Sequence, residues 1–352
     1  AIALARKLEA ETGVPCIPVF WLQGEDHDLE EINTCTVPRR GGGLARVALD
    51  IPGAAANRVP VADLVLGNGV DAAREALADA LGEGTGAREV MDLVGRWWTH
   101  DRTWLDAFAG MLAEVFAGEG LVVLSPREPA FQRAAAPHHA RMLREAKRFA
   151  DALGEQVARM RAVGMEPQVH VRAGAPLAFH APGGPKSPRH RLEPVDHGYV
   201  HVGLDEPCPW TEERLLLHLG EAPGAFTASA LQRPLLQDLL LPTAAYVGGP
   251  AEVAYLAQVR PLYAAMSIEQ PVVVHRPRLR VMDARTARVL RELGLDADAA
   301  VSGGAEAGVA ERSAPAGVDP PSDVEPALLE PFRSRLRALG PSLAGLDPSL
   351  GR

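Results

Sequence analysis

Six ionisable side chains crowd into seven positions: Glu25, Asp26, His27, Asp28, Glu30 and Glu31. Carboxylates around an imidazole can bind a substrate amine, hold a metal ion, or act as general acid and base. The segment directly follows the apolar, β-branched run VPCIPVFWL. It therefore stands just past the end of a buried strand, where open α/β sheets gather their ligand-binding side chains. The competing reading is a solvated acidic turn that opens a helix, since acids favour a helix amino end. A calcium loop is excluded, because Glu31 stands where its turn needs glycine and Val37 where its bidentate glutamate belongs.

A second set of residues suits an anion. In SALQRPLLQDLLLP, Arg233 and Gln237 stand four apart and share a helix face, with Asp238 next in sequence, while Leu231, Leu235, Leu239 and Leu240 can face the core. Downstream, AAYVGGPAEVAYLAQ sets Tyr246, Gly248 and Gly249 before a helix opened by Pro250, with Glu252 in its first turn. Glycines let a ligand approach the backbone, and the free amides of a helix start attract an anion. Arg276, Arg278 and Arg280 follow the strand PVVVH, on one face. Each has a plainer reading: a surface Arg paired to an acid, a tight turn needing positive φ, a charged sheet edge. GNGVDA, residues 67–72, matches G-x-G-x-x-A, but EVMDLVGRWW stands where a ribose-binding acid should end a second strand, so a nicotinamide site is disfavoured. There is no phosphate-loop, H-E-x-x-H or G-x-S-x-G pattern. His138 and His139 read as surface residues in the first turn of a helix, and Trp97, Trp98 and Trp104 as packing residues.

The elements that must position these groups alternate. ALARKLEAETG reads as a helix stopped by Gly13, and the strand after it ends at Leu22. LVVLS, residues 121–125, is a second buried strand, and Pro137 opens an amphipathic helix running to Gly164. QVHV and LAFH, around a turn at 173–176, read as a hairpin followed by a Pro/Gly-rich loop with Lys186, Arg189 and Arg191, so that 165–205 forms an insertion. From Trp210 helix and strand alternate again. This order predicts an α/β fold with a mainly parallel sheet covered on both faces. The core spans 1–294, a linker rich in Ala, Gly, Pro and Ser spans 295–326, and a helical region begins over 327–352. The 352 residues carry a net charge of −9, which weighs against a polyanion-binding surface and so against nucleic acid. Cys16, Cys35 and Cys208 form no CxxC pair, no apolar run reaches the ~20 residues that span a bilayer, and the amino end carries Arg6 and Lys7 where a leader would be apolar. A cytoplasmic protein outside the membrane is expected. Helical patterns at both ends, the first beginning on Ala1, predict a sequence truncated at its start and at its end.

Taken together, PVFWLQGEDHDLEEIN and ALQRPLLQDLLLPTAAYVGGPAEVAYLAQ resemble the bacillithiol biosynthesis cysteine-adding enzymes, cysteine ligases of low-molecular-weight thiol synthesis, from Ala1 to about Gly294. The resemblance implies a Rossmann-like core related to nucleotidyltransferases and class I aminoacyl-tRNA synthetases, with a helical coiled coil that supports a homodimer. It also implies a reaction joining cysteine to glucosaminyl-malate, with ATP activating the acid. In that reading Asp26, His27 and Asp28 orient the amine or act as base. Trp21, Glu25, Glu31, Arg233, Gln237, Asp238, Tyr246, Gly248, Gly249, Glu252, Arg276 and Arg278 bind substrate or nucleotide, and no metal is assigned. Family members carry an upstream strand and glycine-rich turn before the point that matches Ala1, and a coiled coil continuing past Arg352. The Lys-Met-Ser-Lys-Ser loop of the synthetases is not in this sequence. Two further classes stay open: a metal-dependent hydrolase built on the cluster from Glu25 to Glu31, and a nucleotide-binding protein without catalysis.

Overall fold

The computed structural model describes residues 1–40, 43–54, 58–205, 208–279, 281–282 and 284–296. They fall into two units, 1–276 and 277–352, each taken by itself. In the first, α1 (Ile2–Thr12) stops on Gly13 at φ 69°, whose N–H closes on the Glu9 carbonyl, a left-handed cap that glycine adopts without strain. β1 (Val19–Trp21) pairs in parallel with β4 (Val122–Leu124), Val19 opposite Val122 and Trp21 opposite Leu124. Parallel neighbours need a long crossover. Here it holds the antiparallel hairpin of β2 (Thr34–Pro38) and β3 (Leu44–Ala48), then α2 (Gly69–Leu81), α3 (Thr85–Trp97) and α4 (Trp104–Val115). Leu66, Val70, Trp104 and Ala107 bury together there, with Trp98 edge-on to Trp104 and Phe108 stacked on it. Gly67 and Gly69 of the G-x-G match serve this packing. A β-carbon on Gly69 would lie 1.8 Å from the Asp50 carbonyl oxygen, and Gly67 turns at φ 59°.

The expected long helix is two helices. α5 (Pro129–Arg144) and α6 (Ala146–Ala162) part at Glu145, whose carboxylate takes Arg141 from one and Arg148 from the other. Pro129 opens α5 and Pro137 lies inside it, which places His138 and His139 in mid-helix. His139 is buried, contrary to its surface reading. It lies 3.0 Å from the Gln232 side chain, and burial pushes its pKa down to about 4.

The predicted hairpin is also displaced. Residues 168–171 form no strand, because Gln258 satisfies both backbone groups of Val169, accepting from its N–H at 3.2 Å and donating to its carbonyl at 2.7 Å. β5 (Ala178–His180) pairs instead with β6 (His190–Val195), which turns at His197 into β7 (Gly198–His201). On its other side β5 takes β8 (Phe226–Ala228), which follows α7 (Glu212–Glu221). The result is a four-stranded antiparallel sheet in the order β7-β6-β5-β8, so the segment 165–205 joins a sheet with β8. Then come α8 (Arg233–Leu240), β9 (Ala245–Gly248), α9 (Pro250–Met266) and β10 (Val272–His275), a β-α-β crossover with β9 and β10 parallel. Phe149, Leu153, Leu235, Leu256, Val259 and Leu262 from α6, α8 and α9 form the largest core. Among the described residues the parallel pairing expected of most of the sheet is therefore confined to two separate pairs, and the largest sheet is antiparallel.

The second unit holds α10 (Ala284–Leu293). Arg280, the linker from residue 297 onward and the helical region over 327–352 lie outside the described residues.

Candidate functional site

Past β1 the ladder runs one residue further, with Leu22 N–H bonded to Leu124 O at 2.8 Å. The chain then passes over a short helical turn, Val61–Asp63, which pins it twice: Ala62 N–H to Gly24 O at 2.9 Å and Val61 N–H to Asp26 O at 2.6 Å. Gly24 has no room for a side chain, since a β-carbon would sit 2.7 Å from Leu105 Cδ1. The acidic segment is thus fixed at the carboxyl ends of both parallel strands.

Within it the ionisable groups differ in kind. Glu25 is buried, and burial pushes its carboxyl up to about 6 against the pull of Arg189 and Arg127. Asp26 is half exposed. Partial burial works to raise its pKa, but the Arg189 guanidinium at 2.8 Å and the His27 N–H at 2.8 Å together hold it below the usual carboxylate value. His27 stands between Asp26 at 3.3 Å and Asp28 at 3.5 Å, one carboxylate to each ring nitrogen. One ligand atom from each of these three residues falls within 4.8 Å of the others, so they are the group that could hold a cation among the described residues. Glu31 is exposed on the turn Leu29–Glu31, and Trp21, the last residue of β1, has its ring edge-on to Phe131.

Three partners of this cluster escaped the reading of the sequence. Arg189 lies over the Phe179 ring, 4.5 Å from its centroid, and reaches Asp26 from the loop before β6. Arg127 and Asp63 form a mostly buried pair at 2.5 Å. Arg127 was within reach of the strand-end argument, since it lies three residues past β4; Arg189 was not, because it comes from a distant loop.

The second predicted set is brought together around the β9-α9 junction. Arg233, nearly buried, donates to the Tyr246 hydroxyl at 2.9 Å and to Tyr255, and stands 3.8 Å from Glu252. Tyr246 donates to Glu252 at 2.8 Å, and the other Glu252 oxygen accepts the Gly249 N–H at 2.7 Å. That amide and Arg233 therefore already face an internal carboxylate. The Arg276 guanidinium lies over Gly249, where a β-carbon would come within 2.6 Å of it, and its backbone N–H bonds Gly248 O at 2.8 Å. Gln237 is buried and donates to Asp238 at 3.2 Å; Tyr263 donates to the other Asp238 oxygen at 2.6 Å, while burial raises the pKa of that carboxyl. Arg278 belongs to the second unit. Among the described residues the polar contacts of the two segments form separate networks. An apolar path joins them, because Phe131, against Trp21, packs with Leu236 and Leu240 of α8.

Residues 1–277 match the family described as bacillithiol biosynthesis BshC, N-terminal Rossmann-like domain. A BshC protein of Koribacter versatilis is 31% identical over 352 residues, covering 100% of this chain and 62% of its own length. One from Solibacter usitatus is 30% identical, covering 100% and 64%, and one from Geobacillus thermodenitrificans is 29% identical, covering 87% and 56%. All three are named as cysteine ligases. The chain thus spans less than two thirds of the length of these relatives.

Proposed function

Because the chain belongs to the bacillithiol biosynthesis BshC family, we propose that it is part of a cytoplasmic ligase that joins cysteine to the amine of glucosaminyl-malate. The observation that carries this reading is the charged cluster fixed at the carboxyl ends of β1 and β4. Amide formation needs an amine that is oriented and then deprotonated. His27, held between Asp26 and Asp28, takes that proton at a ring nitrogen, and the two carboxylates position the ammonium beforehand. ATP, when bound, supplies the leaving group that makes the cysteine carboxylate an acylating agent. The start of α9 offers donors to phosphate oxygens: the Arg276 guanidinium lies where a side chain on residue 249 would stand, and the Gly249 amide and Arg233 face the Glu252 carboxylate, whose place a phosphate would take. Pairing into a homodimer belongs to the same reading. Among the described residues no helix is long and apolar enough to cross a membrane.

Incubating the full-length protein with cysteine, glucosaminyl-malate and ATP should give the condensed thiol, read by mass. Absence of product from protein shown to be folded would overturn the ligase reading. A hydrolase using a cation on Asp26, His27 and Asp28 is the second reading, favoured by their spacing and opposed by Arg189, which already neutralises Asp26. Turnover that needs an added divalent ion and no ATP would select it.

A further inference from the structure

Three imidazoles outside both networks are joined end to end. His180 Nδ1 lies 2.7 Å from His201 Nε2, and His180 Nε2 lies 2.7 Å from His218 Nδ1. They come from β5, β7 and α7, so the chain of bonds crosses three elements. His180 and His201 are fully buried, and His218 is half-buried at the outer end. Trp210 touches all three rings and Phe226 stacks on His180. A single metal ion does not explain the arrangement, because the two bonds leave opposite nitrogens of His180.

The proton count is restrictive. Each imidazole–imidazole bond takes one ring proton. Three neutral rings carry three protons, two in the bonds and one on an outer nitrogen. A fourth fills the other outer nitrogen with both bonds intact. A fifth must set two N–H groups against each other and break a bond. Among the described residues, Arg214 of α7 lies over Trp210 and opposes extra charge on His180, as does His190 of β6, which donates to the Val202 carbonyl beside His201; β7 adds Tyr199, while β8 and α5 present Phe226 and Leu143. Burial, reinforced by His201, His218 and Arg214, pushes His180 down to about 3.

His180 is also one residue from the candidate site. Phe179, on the opposite face of β5, carries the Arg189 guanidinium that grips Asp26, and His190, directly opposite His180 in β6, follows Arg189 in the chain. We propose that His218, His180 and His201 form a proton-sensitive clasp, which locks α7 and β7 to the β5–β6 pair and so positions Arg189 and Asp26 for the reaction inferred above. The clasp is closed with three or four protons and opens with the fifth. An opened, solvated His180 returns toward its ordinary 6.5, so opening grows roughly tenfold for each pH unit below that value. The positioning role rests on the proposed function; the clasp itself does not.

Hydrogen exchange of the full-length protein at pH 7.5 and pH 5, corrected for intrinsic rates, tests the clasp. Amides of α7, β5 and β6 should lose protection at least tenfold at pH 5 in the wild type, and this loss should vanish in His180→Phe, whose ring takes no proton. Should that variant not fold, His218→Phe at the half-buried end should show, already at pH 7.5, the α7 protection that the wild type reaches at pH 5. Wild-type protection that is the same at both pH values, or variants that keep its pH dependence, would overturn the clasp. Calorimetric titration with glucosaminyl-malate, whose amine Asp26 would hold, tests positioning: affinity should fall on acidification in the wild type and not in the variant. A clasp that opens without changing glucosaminyl-malate affinity overturns the positioning role and leaves the ligase reading standing. No glucosaminyl-malate binding at any pH counts against the ligase reading and leaves the exchange result as it is.

Discussion

Glu25 and Asp26 are neighbours in sequence with opposite electrostatic fates, and the difference is burial. Glu25 in the folded chain titrates near 6, above its ordinary 4.5. The folded state therefore holds a proton that the unfolded chain has lost, and the stability this contributes is present below about 4.5 and is lost as pH rises through 6. Glu25→Gln should accordingly raise stability at pH 8 by about 1–2 kcal/mol and leave it nearly unchanged at pH 4.5. Urea denaturation at the two pH values checks this, and equal shifts at both would refute it. Arg189→Met should let the Asp26 carboxyl rise, because its main attractive charge is gone, as carboxyl carbon NMR through a pH titration would show. The sequence made this cluster visible as a run of acids at a strand end. It did not show which acid is buried, since that depends on how Gly24 lets the segment pass under Leu105.

At the level of elements, two glycines of similar appearance carry different constraints. Gly69 meets a backbone oxygen that has little freedom to move, so Gly69→Ala should cost about 2–3 kcal/mol without touching either polar network. Gly249 meets the end of a flexible Arg276, so Gly249→Ala should displace that side chain, weaken nucleotide binding and leave the melting temperature close to that of the wild type. Thermal melts and nucleotide titration of both variants separate the two cases. Arg233 departs from its plain reading as a surface partner. Its near-burial against Tyr246, Tyr255 and Glu252 means that Arg233→Ala should cost about 2–4 kcal/mol, read by denaturant titration. The shared helix face of Arg233 and Gln237 was legible from a spacing of four; the tyrosine partners of Arg233 and Asp238 were not, because Tyr246, Tyr255 and Tyr263 arrive from another strand and helix.

For the whole molecule, the sequence made helix and strand identities legible wherever one periodicity persisted, as in α1, α9 and the runs that became β1, β4, β9 and β10. It failed where long-range contacts decide pairing. Strand 178–180 lay in the predicted hairpin, but its partners are 190–195 and 226–228, while Gln258 claims the backbone of the predicted partner. The break at Glu145 interrupts a pattern that reads as one amphipathic helix. The described cores draw only on residues of the first unit. Residues 1–276 expressed alone should therefore melt cooperatively with retained helix content by circular dichroism; a gradual, non-cooperative melt would show that this unit depends on the rest of the chain.

Glu252 has a consequence for any anion drawn to the start of α9. Its carboxylate is a tethered competitor, held at high effective concentration against the amide and guanidinium that a phosphate or carboxylate would use. A visiting anion must displace it, and the observed affinity is the intrinsic one reduced by the fraction of time the tether is away. Glu252→Gln weakens the competitor while keeping its length. It should tighten binding of a simple anion such as pyrophosphate, although the helix loses its charged cap and with it about 1 kcal/mol of stability.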